Sequence, residues 1–232
     1  MTTPKLSTPT LFTPSELKAN PTLSKFVTQL VNDAFHRSDE IDPVKWNNTT
    51  SRFSNEEALH TLLGHEGSAI ALIFDEADIA KNFEKAIGNE NRRVVACAAA
   101  VPWKGGWAKE GAGKESGWEM KIVSVDGDPK YHHRGLAVQL LKFLESCLVA
   151  NERKVSQRAG KLGEGVLTLW ILAAECINGE YWRKRGYQEV RKKVEGPGVW
   201  SCKTSFEMVV LRKDVTFHVG AESIDRQCEK AK

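Results

Sequence analysis

The stretch that most constrains this chain runs from Trp118 to Asn151, WEMKIVSVDGDPKYHHRGLAVQLLKFLESCLVAN. Met120 to Val125 reads as a buried strand, followed by a tight polar loop holding Pro129 and then a long helix opened by Arg134-Gly135. Ala137, Leu140, Leu141, Leu144 and Leu148 recur at i, i+3, i+4, i+7 and i+11, which predicts one apolar helical face. The first N–H groups of such a helix have no carbonyl four residues back. Together with the positive end of the helix dipole, and a glycine that lets backbone approach closely, they make an anion site. An ordinary strand–loop–helix also leaves these groups free, so shape alone does not decide.

The wording of the loop adds to the shape. Pro129-x-Tyr131-His132-x-Arg134-Gly135-x-Ala137 resembles the acyl-CoA pyrophosphate loop of the GNAT N-acetyltransferase superfamily, with His132 where Gln or Arg is usual. A second family signature, a short helix ending in Tyr-x-x-x-Gly-Phe, is matched by Trp182-Arg183-Lys184-Arg185-Gly186-Tyr187, with Trp182 in the tyrosine's place. The resemblance covers roughly residues 7 to 212.

Composition bounds the rest. With 232 residues, 41% hydrophobic and 27% charged, the chain reads as an ordinary globular protein. A net charge of +3 is too small to argue for nucleic acid. Cys97, Cys147, Cys176, Cys202 and Cys228 show no Cys-x-x-Cys spacing, which argues against a zinc site or a disulfide framework and for a reducing compartment. MTTPKLSTPT lacks the apolar core of a leader, and no apolar run is long enough to span a bilayer. The expectation is a cytoplasmic protein with the nucleus left open, no membrane partner, and a homodimer left open.

Residues 1–22 read as a proline-rich start, 1–7 mobile, with one short strand near Thr8 to Thr13. Leu23 to Phe35 is a predicted helix, and 36–53 have no clear period. A second helix runs from a capping box at Ser54-Asn55-Glu56-Glu57 to Gly64. Ser68 to Phe74 and Val94 to Val101 are strands around a charged excursion from Asp75 to Asn91, and glycines make 103–117 a flexible connection. Its GAGKES is not a Walker A loop, because Ala108 stands at the first glycine and Glu115 replaces the hydroxyl. Asn151 to Gly165 is polar and basic, and Val166 to Leu172 is an unbroken apolar strand. Glu175 to Arg185 is a short helix, and Tyr187 to Val194 pairs with Ser205 to Leu211. The reading is a single α/β (α+β) domain, 1–212, with a polar C-terminal tail from 213 to 232. Its central sheet is mixed and mostly antiparallel, with helices on both faces and one parallel strand–helix–strand crossover.

The GNAT resemblance implies acetyl-CoA as cosubstrate, no metal, and transfer to a primary amine of a small molecule or peptide by direct attack. It implies that the strands Met120–Val125 and Val166–Leu172 part, their backbone holding the pantetheine arm. Val125 and Gly127 fall at the two backbone-contact positions, with glycine unusual at the second. Val123, Val125 and Gly127, with His132, His133, Arg134, Gly135, Leu136 and Ala137, are the implied cofactor-binding residues. A main-chain N–H near Val123 to Val125 would polarise the thioester oxygen. Glu119 is the first candidate base and Glu175 the second. For the acid, Trp182 cannot donate a proton at neutral pH, whereas Tyr181 is adjacent but turned about 100° away on a regular helix. The basic runs Arg183–Arg185 and Arg191–Lys193 read as a solvated face open to the cofactor's 3′-phosphate. Trp46, Phe53, Trp103, Trp107 and Trp200 suggest an aromatic wall for the acceptor. A catalytically silent acyl-CoA-binding module, or a binder of another phosphate ligand, are the alternatives.

Overall fold

The computed structural model describes residues 3–76 and 93–220. The greater part of the charged excursion, 77–91, and the far end of the expected tail lie outside the described residues.

Among the described residues seven strands form one sheet in the order β1-β2-β3-β4-β5-β7-β6. They are β1 (Thr10–Phe12), β2 (Ala69–Asp75), β3 (Arg93–Pro102), β4 (Trp118–Val125), β5 (Gly163–Ala174), β6 (Gln188–Glu195) and β7 (Phe206–Val219). Every neighbouring pair is antiparallel except β4 and β5, the two strands joined by the long crossover helix α4 (Leu136–Arg158). The α4 face is filled by Leu136, Leu140, Leu144 and Leu148 packing on Ala98, Ala100, Met120, Leu169 and Ile171. That stripe repeats every four residues, with Ala137 and Leu141 half-buried at its edge. The other face carries α1 (Pro14–Lys18), α2 (Pro21–Asp39) and α3 (Glu56–Leu63) over Ile70, Leu72, Cys97, Ala99 and Val101. The alanines of β3 suit a central strand covered on both sides, because small side chains let α2 and α4 lie close.

Local chemistry moved several boundaries. Asn55, not Ser54, caps α3: its backbone is extended and its side chain accepts from the Ala58 N–H at 3.1 Å. α2 runs four residues beyond Phe35 and so carries His36 and Arg37 in its last turn. α4 continues through the polar residues after Asn151, which lack a helix breaker until Gly160. β7 extends to Val219, so residues 213–219 are strand rather than tail, paired with Gly163–Leu169. Buried Phe217 and Val219, two residues apart, are a period-two signal that the charged neighbours obscured. Lys5 to Ser7 are not loose: Leu6 bridges Asp75, and Ser7 N–H donates to the Phe74 carbonyl at 2.9 Å.

The glycine-rich connection 103–117 is pinned rather than flexible. Arg191 of β6 holds Glu110 and Glu115 and donates to the Gly105 carbonyl, while Glu115 also takes the Trp103 indole N–H at 2.8 Å. Trp103 stacks on Trp170 with ring centroids 4.7 Å apart. The Glu115 that ruled out a nucleotide loop is thus an anchor for this one.

Candidate functional site

β4 and β5 pair only at Trp118 with Leu169 and Glu119 with Trp170. Beyond Glu119 the strands part, although β4 runs on to Val125 and β5 to Ala174. A β-bulge sits just past the last pair. Lys121 faces Ala99 and Ser124 faces Cys97, so Ile122 and Val123 together oppose Ala98, and Ile122 takes a φ of +46°. A bulge bends and over-twists its strand, which is what opens a cleft at this level. A positive φ on a β-branched residue is strained, and buried packing of Ile122 on the α2 face holds it there.

The register shows which backbone groups face the opening. Asp126 N–H donates to the Val95 carbonyl at 2.8 Å, and Val125 lies opposite Ala96. Alternate residues of an antiparallel strand turn their N–H and C=O to opposite sides. Those of Val125, and by the same alternation Val123, therefore point away from β3 into the cleft.

At its open end stands the start of α4. Pro129–Tyr131 form a 3-10 turn capped by Asp128, whose side chain accepts from the Lys130 N–H at 3.0 Å. His133 and Gly135 then take φ of +57° and +69°, reversing the chain into the helix. Gly135 occupies the cap position and supplies no side chain, and among the described residues nothing accepts from the N–H groups of Leu136, Ala137 or Val138. A Cβ built on Gly135 meets nothing within 4 Å. An uncapped helix start beside a parted strand pair fits an elongated anionic ligand, diphosphate at the amides and amide-bearing arm along β4.

Tyr131 anchors this loop. Its hydroxyl donates to Asp75 Oδ2 at 2.8 Å, and Asp75 is 1% exposed at the end of β2. Burial, with Asp75 adding, raises the Tyr131 hydroxyl above its ordinary range, so it stays a donor. Replacing Asp75 with alanine strands that hydroxyl in the core; urea unfolding should show a loss of about 2–3 kcal/mol.

Glu119 lies at the vertex where the strands part, 6% exposed, with Lys121 Nζ at 2.9 Å. Burial raises its pKa, and Lys121 and Arg52 draw it part of the way back. Glu175 is instead held by Arg183, which also binds Glu189. Residues 175–179 form a π-turn ahead of α5 (Glu180–Arg183). A π-turn holds one residue more than an α-turn and so rotates the side chains of the next turn about the helix axis. Trp182 is accordingly a core residue, edge-on to Tyr187. Tyr181 packs at the border of the core cluster that Val123 and Val125 also border, with the Arg185 guanidinium over its ring, and its buried hydroxyl makes no hydrogen bond of regular geometry among the described residues.

Most of the basic side chains are paired within the protein, Lys184 with Glu180, Lys192 with Glu207 and Lys193 with Glu195, beside the Arg183 and Arg191 contacts above, whereas Arg185 donates to the Tyr181 carbonyl and lies over the Tyr181 ring. Of the proposed aromatic wall, Trp46, Phe53 and Trp103 are buried packing residues, at 2%, 4% and 8% exposure. Trp107 is exposed and meets half-buried Trp200 edge to face at 5.8 Å, and Trp200 itself stacks on Phe206. Trp46 serves to stitch the 40–55 loop to the 196–205 loop, through its bridge to Cys202 and the 3.0 Å bond from Asn47 N–H to the Ser201 carbonyl. A separate cavity of about 830 Å³ lies at the closed end of the sheet, between α1, α3 and the second half of α4, and includes none of the cleft or loop residues. No three metal-ligating side chains converge among the described residues, and no described helix is long and apolar enough to cross a membrane.

No protein-family model matches the sequence, and no curated protein matches it. Among solved structures, a candidate acetyltransferase of Acinetobacter baylyi ADP1 is similar with a TM-score of 0.55 at 11% identity, over 92% of this chain and 95% of that one. A GNAT-family acetyltransferase of Streptococcus pneumoniae follows at a TM-score of 0.48 and 11% identity, covering 91% of this chain and 99% of its own. A ribosomal-protein-alanine N-acetyltransferase of Brucella melitensis has a TM-score of 0.48 and 18% identity, with 89% and 99% covered. The chain has the GNAT fold: a seven-stranded, mostly antiparallel sheet with its single parallel pair, β4 and β5, parting beside the start of the crossover helix.

Proposed function

We propose that this protein is an N-acetyltransferase that uses acetyl-CoA and delivers the acetyl group to a primary amine of a small molecule or peptide. The observation that carries the reading is the parting of β4 and β5 beside an α4 start whose amides no protein group caps among the described residues. The loop from His132 through His133, Arg134, Gly135 and Leu136 to Ala137 would receive the diphosphate, chiefly through backbone N–H groups. Val123 and Val125 would offer cleft-facing backbone to the pantetheine amides, and one of their N–H groups would meet the thioester oxygen as negative charge grows on it.

Glu119, at the vertex, takes the proton of the attacking amine through water, and its burial supplies a base stronger than an exposed carboxylate. As the new C–N bond forms and the C–S bond breaks, Tyr181 gives its proton to the departing thiolate. The π-turn and the buried Tyr181 hydroxyl favour this assignment over Trp182. The acceptor would enter on the α2 side, past the stitched loops and the Trp107–Trp200 pair.

The Glu119–Lys121 ion pair favours a second reading, a catalytically silent acyl-CoA binder, because a base tied to a lysine is less available. One assay separates them. Both gain thermal stability with acetyl-CoA, and only the enzyme releases free thiol when a panel of amines and short peptides is added. Stabilisation by ATP and none by CoA would overturn both.

A further inference from the structure

A guanidinium stands at the mouth of the cleft with donors to spare. Arg37, in the last turn of α2, donates from Nη2 to the Val125 carbonyl at 2.6 Å. That carbonyl is one of the groups the register turns toward β5, where no strand pairs with it. Gly127 lies two residues on, and a Cβ built there would fall 2.8–2.9 Å from Arg37 Cζ, Nη1 and Nε. Glycine at 127 leaves the guanidinium its place: a side chain there would make the end of the arginine shift. Among the described residues nothing accepts from Nε or Nη1 and no carboxylate pairs with Arg37, the nearby Asp126 being taken by Arg93.

An unpaired cation held against the strand end that leads into the anion-binding loop is misplaced as a mere strut. The loop itself offers His132 where a longer donor would serve a phosphate. We infer that Arg37 is a cosubstrate-binding residue: on binding it leaves the Val125 carbonyl to an amide of the pantetheine arm and carries its charge to the diphosphate of the same ligand. This rests on the acyl-CoA reading above. The exchange keeps every donor matched, because the carbonyl trades one N–H for another and the guanidinium trades a neutral acceptor for an anionic one.

The test is calorimetric titration of wild type, Arg37→Ala, Arg37→Lys and Gly127→Val with CoA, 3′-dephospho-CoA and pantetheine, after thermal melting confirms that each is folded. Arg37→Ala and Gly127→Val should weaken CoA and dephospho-CoA about tenfold alike, the scale of one charge-assisted contact, leave pantetheine unweakened, and flatten the salt dependence of CoA binding. Arg37→Lys should recover part of the loss. Equal weakening of all three ligands would make Arg37 only a support for β4 and overturn the inference. Loss confined to CoA would move the contact to the 3′-phosphate and overturn the diphosphate assignment. If wild type binds CoA and Arg37→Ala binds it equally well, this inference alone fails; if wild type binds no CoA, the acyl-CoA reading fails with it.

Discussion

Gly135→Glu should remain folded and lose its response to acetyl-CoA. The substitution has two costs that can be told apart. One is backbone strain, about 1–2 kcal/mol for a side chain at a φ of +69°. The other appears only with ligand, since nothing lies within 4 Å of the new Cβ in the free protein and the added carboxylate would stand where the diphosphate should lie. At a hundredfold excess over Kd, wild type should gain about 2.7 kcal/mol, or roughly 5–10 °C in melting temperature for a chain of this size. Gly135→Glu should gain none of it. Gly135→Ala carries the strain without the charge and should keep most of the shift. A glutamate variant that responds like wild type would place the ligand elsewhere.

The second large effect concerns turnover. Tyr181→Phe should lower kcat about a hundredfold, the scale of a lost general acid, with the KM for acetyl-CoA and the melting temperature nearly unchanged. Trp182→Ala should do the opposite, costing about 3–5 kcal/mol of stability because it empties a core site. Burial raises the Tyr181 hydroxyl above the ordinary tyrosine range, with Arg185 pulling against it, so the group is protonated at neutral pH and the alkaline fall in rate lies above that range. Glu119 must be ionised to accept a proton, and burial raises its pKa, so the rate should climb with pH through a value above 4.5. In Glu119→Gln that acidic limb should disappear.

How much of this the amino-acid order could show depends on the range of the forces involved. Leu136 to Leu148 announce α4 because one helix face is a local repeat, and Val166 to Leu172 announce β5 because an inner strand is apolar throughout. The parting of the strands was expected only from the family resemblance, since the bulge at Ile122–Val123 depends on the register with β3 and leaves no local mark. Arg37 went unseen in a polar run without a period; its role depends on a contact 88 residues away in sequence. Gly127 stood out in the sequence only as unusual at its backbone-contact position, and the guanidinium of Arg37 lies where its side chain would be. Asp75 was read as the edge of a charged excursion, whereas its pairing with Tyr131 brings together β2 and the loop. The Tyr181–Trp182 ambiguity could not be resolved by counting along a regular helix, because the helix begins with a π-turn.

Amide hydrogen exchange, measured residue by residue by NMR with and without CoA, tests the central claim most directly. Added CoA should slow exchange at Leu136, Ala137 and Val138 and at the cleft-facing amides of Val123 and Val125, while Ser124 and Asp126, already turned to β3, change little. Exchange at those five amides that is the same with saturating CoA as without it would contradict the account.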